Sequence, residues 1–173
     1  DLNSIKEWAD KWKMEFNVDK CKIMHLGRLN TKHTYTMGNR DLAVTSEEKD
    51  LGVIFDENLE FDKHIKTIVN RANRMLGMFK IGFTSLDMEI SMNLYPVLVR
   101  PLLEHSVLVW SPHNQKYIKL IGGVQERAVR MVPGLGNLDY DGKLKRLHLK
   151  RLVERRFRGD MTETFKLTTN NEG

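Results

Sequence analysis

The sequence predicts an α+β fold in which a small antiparallel strand cluster is followed by a helical array. Up to residue 60, short runs rich in Thr, Val and Ile are broken by Gly and Asn, the punctuation of strands and turns. From Phe61 the apolar period lengthens to that of an amphipathic helix and stays helical to the end. The chain has 173 residues, 40% apolar and 29% charged, a balance typical of one globular domain or one and a half.

Leu2, Ile5, Trp8, Ala9 and Trp12 recur at helical spacing, so the first helix begins almost at the first residue. The chain opens on Asp1 and not Met, with no slack before that helix, which is the expectation for a piece of something longer. Asn17-Val18-Asp19 reads as a turn and Cys21 to Leu26 as a short strand. His33 to Met37 and Asp41 to Thr45 flank Gly38-Asn39, which supplies positive φ for a hairpin. Lys49 to Phe55 reads as a strand with Gly52 inside it, the mark of a bulge or a close backbone approach.

Phe61, Ile65, Ile68, Ala72, Met75, Leu76 and Phe79 then form one apolar stripe, with Lys63, Lys66 and Arg74 on the other side. Thr84-Ser85-Leu86-Asp87 has the pattern of a capping box opening a helix through Ile90 and Leu94. Further helices are expected near 99–110, 115–131, 140–148 and 151–167. In the last, Val153, Phe157, Met161 and Thr164 share one face, while Arg151, Arg155 and Arg158 lie about opposite.

Charge narrows the function. Residues 1–60 carry 9 Lys+Arg against 12 Asp+Glu, whereas residues 61–173 carry 19 against 11. The stretch 143–158, KLKRLHLKRLVERRFR, holds eight bases and one acid, Glu154. Clustered cations gain by releasing counterions from phosphates, so nucleic acid is the partner to test; a solvated helix face is the bland reading. No apolar run is long enough to span a membrane and no secretory leader pattern is visible, so an intracellular place is expected. One cysteine, Cys21, excludes an internal disulfide and a cysteine-rich zinc module. Gly136 to Lys143 has five residues between its glycines and Leu144 after the lysine, which rules out a phosphate loop. The six histidines have no metal-ligand spacing, Glu47-Glu48 sits in a polar turn, and no Asp-Asp dipeptide occurs. Nothing in the residues alone demands an enzyme.

The segments WADKWKMEFNVDKCKIMHLG (8–27), YTMG (35–38), EEKDLGVIFDENLEFDKHI (47–65), NRANRMLGM (70–78), LVRPLLEHSVLVWSP (98–112), VQERAVRMVPGL (124–135) and RRFRGDM (155–161) run in an order that resembles another group of proteins. They are similar to the C-terminal part of reverse transcriptases, RNA-directed DNA polymerases, from non-LTR retrotransposons of the LINE type, chicken-repeat and jockey-like. The resemblance implies a division into the end of a polymerase palm (1–57), thumb-like helices (58–112) and a basic helical C-terminal segment (113–173). It implies that Lys20, following Asn17, lies near the incoming nucleotide's phosphates and assists departing pyrophosphate, the catalytic position in this stretch. Asp50, Leu51, Gly52 and Val53 match the primer grip, where a glycine lets a sugar-phosphate chain approach backbone. Lys63, Lys66, Arg71 and Arg74 would contact phosphates of an RNA–DNA hybrid, and Arg151, Arg155 and Arg158 would extend that footing.

The complete nucleotidyltransferase would use magnesium, deoxynucleotides, an RNA template and a DNA primer, with chromosomal DNA and hence the nucleus as its workplace. Its fingers and its metal-binding palm aspartates would lie upstream of residue 1. This chain holds no metal site or cofactor of its own in that reading and is inactive alone. The departures from the family are specific: Gly122-Gly123 stand where relatives usually place Glu and a base, Asp141-Gly142 replace a more helix-friendly pair, Pro96 interrupts LYPVLV, and Lys150 stands where a helix-starting proline is common. Three interior glycines at about 1 kcal/mol each and a proline at about 3 kcal/mol predict a weakened fold. The alternatives are a co-opted nucleic-acid-binding or interaction module and a translated remnant without function.

Overall fold

The computed structural model describes residues 2–82 and 88–169, without the side chains of Ser91 and Met92. The capping box expected at 84–87 lies outside the described residues. The chain divides into two units, Asp1–Phe61 and Asp62–Gly173.

The first unit begins with helix α1 (Leu2–Lys11), which buries Ala9 and leaves Trp8 and Trp12 more than half exposed. A single 3-10 turn, Val18–Lys20, follows where a turn is expected. The strands are short: β1 (Lys22–Ile23), β2 (Thr36–Met37), β3 (Arg40–Asp41), β4 (Ala43–Val44), β5 (Glu47–Asp50) and β6 (Val53–Asp56). They form three two-stranded pairings among the described residues. β2 and β3 close the Gly38-Asn39 hairpin, and β5 and β6 are antiparallel. The third pairing corrects the all-antiparallel expectation, because β4 runs parallel to β1. β4 follows β3 after Leu42 alone, and Leu42 is buried, so the chain turns away to a new partner instead of lengthening the hairpin.

The second correction concerns Gly52. Lys49 to Phe55 is not one strand with an internal glycine but the tip of the β5–β6 hairpin, in which Asp50 faces Val53. Leu51 at φ 44° and Gly52 at φ 90° make the two-residue connection, the primed-turn geometry that matches strand twist. Val53 is buried and Leu51 stands out at 86% exposure. After β6, the Asp56 carboxylate accepts the backbone N–H groups of Asn58, Glu60 and Phe61 at 3.0, 3.2 and 2.9 Å. One side chain thus turns the chain at the end of this unit.

The second unit is helical. Helix α2 (Asp62–Gly82) buries Ile65, Ile68, Ala72, Leu76 and Phe79 from the expected stripe, and His64 and Val69 beside it. It packs on α4 (Arg100–Glu104) and α6 (Gln115–Arg130). Between α3 (Met88–Leu94) and α4 the backbone widens into a π-helical turn, Tyr95–Val99, whose end is closed by Arg100 N–H donating to Tyr95 C=O. Pro96 lies in the first turn of that segment, so the residue that breaks an α-helix sits where the bonding pattern has already changed. The short α5 (Val107–Trp110) ends on Trp110, whose Nε1–H donates to His105 C=O at 2.8 Å and whose ring meets the edge of His64 at 5.0 Å.

α7 (Tyr140–Arg146) is capped by Asp139, which accepts the Gly142 N–H at 2.8 Å. A Cβ on Gly142 would fall 2.8 Å from that same carboxylate oxygen, so this glycine serves the cap. Val129, Val132, Leu135, Leu144 and Leu147 close a small core between α6 and α7. α8 (Leu152–Thr169) returns against α6 and α5. It buries Leu152 and Arg156, whereas Val153, Phe157, Met161 and Phe165 are 45–67% exposed. The apolar face of this helix therefore points away from the body.

Gln125, 1% exposed, joins these three helices. Its Nε2 donates to Lys150 C=O at 3.0 Å, and its Oε1 accepts from Tyr140 Oη at 2.9 Å and from Leu152 N–H at 3.3 Å.

Gln125→Leu leaves those three partners without their bonds, and unpaired buried polar groups cost 1–3 kcal/mol each, so the variant is expected to lose about 3 kcal/mol in urea unfolding of the full chain. A loss below about 1 kcal/mol would show that the amide only fills space. At the hairpin tip, Leu51→Asn is expected to slow amide exchange in β5 and β6 and Gly52→Ala to speed it, because a left-handed residue other than Gly or Asn costs about 1–2 kcal/mol. Equal exchange in both variants would contradict the turn.

Candidate nucleic-acid interface

Helix α2 sorts its residues by one rule, apolar inward and basic outward. Lys63, Lys66, Arg71 and Arg74 are all exposed and lie on the side opposite Ile65, Ile68, Ala72 and Leu76. From Lys63 to Arg74 the basic face rises about 16 Å. Lys66 has a weak neighbour in Asp62, 3.9 Å away and exposed, a pair worth only a few tenths of a kcal/mol. Arg127 on α6 donates to the Asn73 side chain at 3.0 Å, adding a further cation near this helix.

The basic run 143–158 is organised differently. Arg151 donates to both oxygens of Asp141 through Nε and Nη2 at 2.6–2.9 Å, and its guanidinium lies over the Tyr140 ring at 5.2 Å from the centroid. That hydrogen bond raises the pKa of Arg151 further. Arg155 holds Glu104 through Nε at 2.5 Å and Nη2 at 3.0 Å, and Arg100 approaches the same carboxylate at 3.6 Å. Arg151, directly before α8, and Arg155 on it thus fasten this helix to α7 and α4, while Arg158 is exposed to solvent.

Beneath them lies a buried polar set that the sequence does not single out. Arg156 is 5% exposed and its Nη1 meets no acceptor among the described residues; burial lowers its pKa, with Glu104 and Asp160 opposing that fall. The Tyr95 hydroxyl, also buried and without a hydrogen-bond partner among the described residues, is pushed by burial well above the usual phenol range. Gln125 could have been found from period alone, since Ile121, Val124, Gln125 and Ala128 share the buried stripe of α6. Arg156 could not, because it is one base among eight in its run.

In the first unit, Lys20 ends the 3-10 turn and is exposed, and Asn17 accepts its backbone N–H at 3.0 Å. Lys22, two residues on, forms a 2.7 Å ion pair with Glu48 of β5, and the hydrogen bond from Lys22 lowers the pKa of Glu48. This pair fastens the strand after Lys20 to the hairpin that carries Asp50, Leu51, Gly52 and Val53. Asp19, next to Lys20, approaches Arg40 at 3.4 Å. Lys20 and the hairpin tip therefore belong to one unit, and the cations of α2 and α8 to the other.

Among the described residues no helix is long and apolar enough to cross a membrane, and no three His, Cys, Asp or Glu residues gather as a metal site.

No protein-family model matches the chain, and no solved structure matches it. Curated proteins do. The chain is 26% identical over 141 residues to the RNA-directed DNA polymerase from mobile element jockey of Drosophila funebris, which covers 77% of this chain and 15% of that protein. It is 22% identical over 134 residues to the "Probable RNA-directed DNA polymerase from transposon X-element" of Drosophila melanogaster, covering 75% of this chain and 15% of that protein. An uncharacterized protein of Caenorhabditis elegans is 26% identical over 118 residues, 66% of this chain and 60% of its own length. The chain thus spans about 15% of the length of the two polymerases it matches. These matches agree with the resemblance carried by the motifs: the chain is a distant relative of the RNA-directed DNA polymerases of jockey and X-element non-LTR retrotransposons, and corresponds to a fragment of them.

Proposed function

We propose that this chain is the part of a reverse transcriptase that holds the RNA–DNA hybrid, with α2 as its thumb-like phosphate-contacting helix. The observation that carries the reading is the solvent face of α2, where Lys63, Lys66, Arg71 and Arg74 stand opposite a buried stripe that is apolar but for His64. A row of cations about 16 Å long suits successive backbone phosphates and reads no base, as required of a polymerase that must accept every sequence.

The remaining roles follow the family pattern. Lys20, exposed and with a free ammonium reach, assists the leaving pyrophosphate as its negative charge develops. The Asp50–Val53 turn presses on the primer end, and Gly52 presents bare backbone there. Arg158 adds one phosphate contact, whereas Arg151 and Arg155 contribute chiefly by holding α8 in place. Magnesium and the metal-binding aspartates belong to the rest of the enzyme, so this chain extends no primer by itself. The complete enzyme works on nuclear DNA.

The test is the salt dependence of binding to a labelled RNA–DNA hybrid by the full chain. Each phosphate contact contributes about one unit to the slope of log affinity against log salt, so the quadruple variant Lys63→Gln, Lys66→Gln, Arg71→Gln, Arg74→Gln is expected to lower the slope by about 3–4 units. Arg158→Gln is expected to lower it by about 1. A quadruple variant with the wild-type slope removes α2 from the interface.

A further inference from the structure

The two glycines that weaken α6 open a cleft. Gly122 and Gly123 form one wall of a depression of about 460 Å³ between α6, α7 and α8, within the range of small-ligand sites. A Cβ at Gly122 would meet nothing within 4 Å, and one at Gly123 only the tip of Arg127 at 3.7 Å. Packing therefore does not require these glycines, although each costs about 1 kcal/mol of helix stability. Both line the cleft.

The other walls are cationic and flat. Lys119, Arg151 and Arg156 line the cleft with Tyr140. Glu126, the acid among the lining residues, is already paired with Arg130 at 2.5 Å. Arg156 lines the cleft with a guanidinium that is 5% exposed, whose Nη1 has no hydrogen-bond partner among the described residues and whose charge is opposed by Glu104 and Asp160. Asp141 holds Arg151 against the Tyr140 ring while its side chain stays 46% exposed. An apolar slot, a held guanidinium plane and surplus positive charge together suit a planar heterocycle joined to a phosphate.

We propose that this cleft takes one unstacked nucleotide of a single-stranded nucleic acid, its base in the slot over Gly122-Gly123 against the Arg151–Tyr140 stack and its phosphate near Lys119 and Arg156. A duplex does not fit, because its bases are stacked and paired, so the cleft grips a strand beyond the hybrid. This inference rests on the nucleic-acid reading above and adds a base-contacting site distinct from the phosphate-contacting face of α2.

The experiment measures anisotropy of a fluorescein-labelled twelve-residue oligothymidylate, an abasic strand with the same number of phosphates, and an RNA–DNA hybrid, each titrated with the full chain. Stacking of one base predicts that the wild type favours oligothymidylate over the abasic strand by about fivefold to a hundredfold. Gly122→Leu, which fills the slot from an open position, is expected to abolish that preference, leave hybrid binding unchanged and not lower the melting temperature. Arg156→Met is expected to weaken oligothymidylate binding without affecting the hybrid, so a misfolded first variant still leaves a test. Wild type without base preference, or both variants retaining it, overturns the cleft while intact hybrid binding leaves the proposed function standing. Loss of all binding in the wild type overturns both.

Discussion

A buried amide sets the arrangement on which the helical unit depends. Gln125 satisfies its carbonyl with Tyr140 and Leu152 and its amino group with Lys150, so α6, the start of α7 and the start of α8 are tied at one point. Burying an amide is tolerable only when its bonds are made, and these bonds are made only if α7 and α8 begin where they do. With both starts fixed, Arg151 reaches Asp141 and Arg155 reaches Glu104. Arg156 is turned inward, the stripe from Val153 to Phe165 outward, and the cleft beside Gly122 takes its shape. The backbone oxygen of Lys150 is one of the three partners.

The same constraint divides the positive charge into two kinds. Cations on α2 project from the exposed side of a helix whose opposite face is core. Cations on α7 and α8 are partly consumed in holding the unit together, where an ion pair fixes geometry more than it adds stability. Counting bases along the sequence ranks 143–158 first, but there Arg151 and Arg155 are paired with Asp141 and Glu104, and the proposed function therefore puts the phosphates on α2. In the mechanism proposed for the chain, α2 holds backbone, the hairpin tip presses on the primer end, Lys20 assists the leaving pyrophosphate, and the α6–α8 cleft takes a base.

Much of the fold is legible in the sequence because it rests on local periodicity. The stripe from Ile65 to Phe79 specifies α2, and Gly38-Asn39 specifies the first hairpin. What fails is what depends on partners distant in the chain. The parallel pairing of β4 with β1 joins residues about twenty apart and leaves no trace in alternation. The Leu51-Gly52 turn is hidden because Leu occupies the position where Asn or Gly would announce a primed turn. The penalties read from Pro96 and Gly142 are absorbed by a π-turn and by a cap, whereas those of Gly122 and Gly123 stand. Arg151 and Arg155 are indistinguishable from solvated bases until Asp141 and Glu104 are placed beside them, since neither acid lies at helical spacing from its partner.

The central claim is that the hybrid is held on the outer face of α2. Photo-crosslinking of an RNA–DNA hybrid bearing 4-thiouridine along its RNA strand, followed by mass mapping of the attached peptides, reads that face directly. The account predicts adducts concentrated in residues 62–82 and reduced by the four substitutions on α2. Adducts confined to residues 143–158, with none on α2, would contradict it.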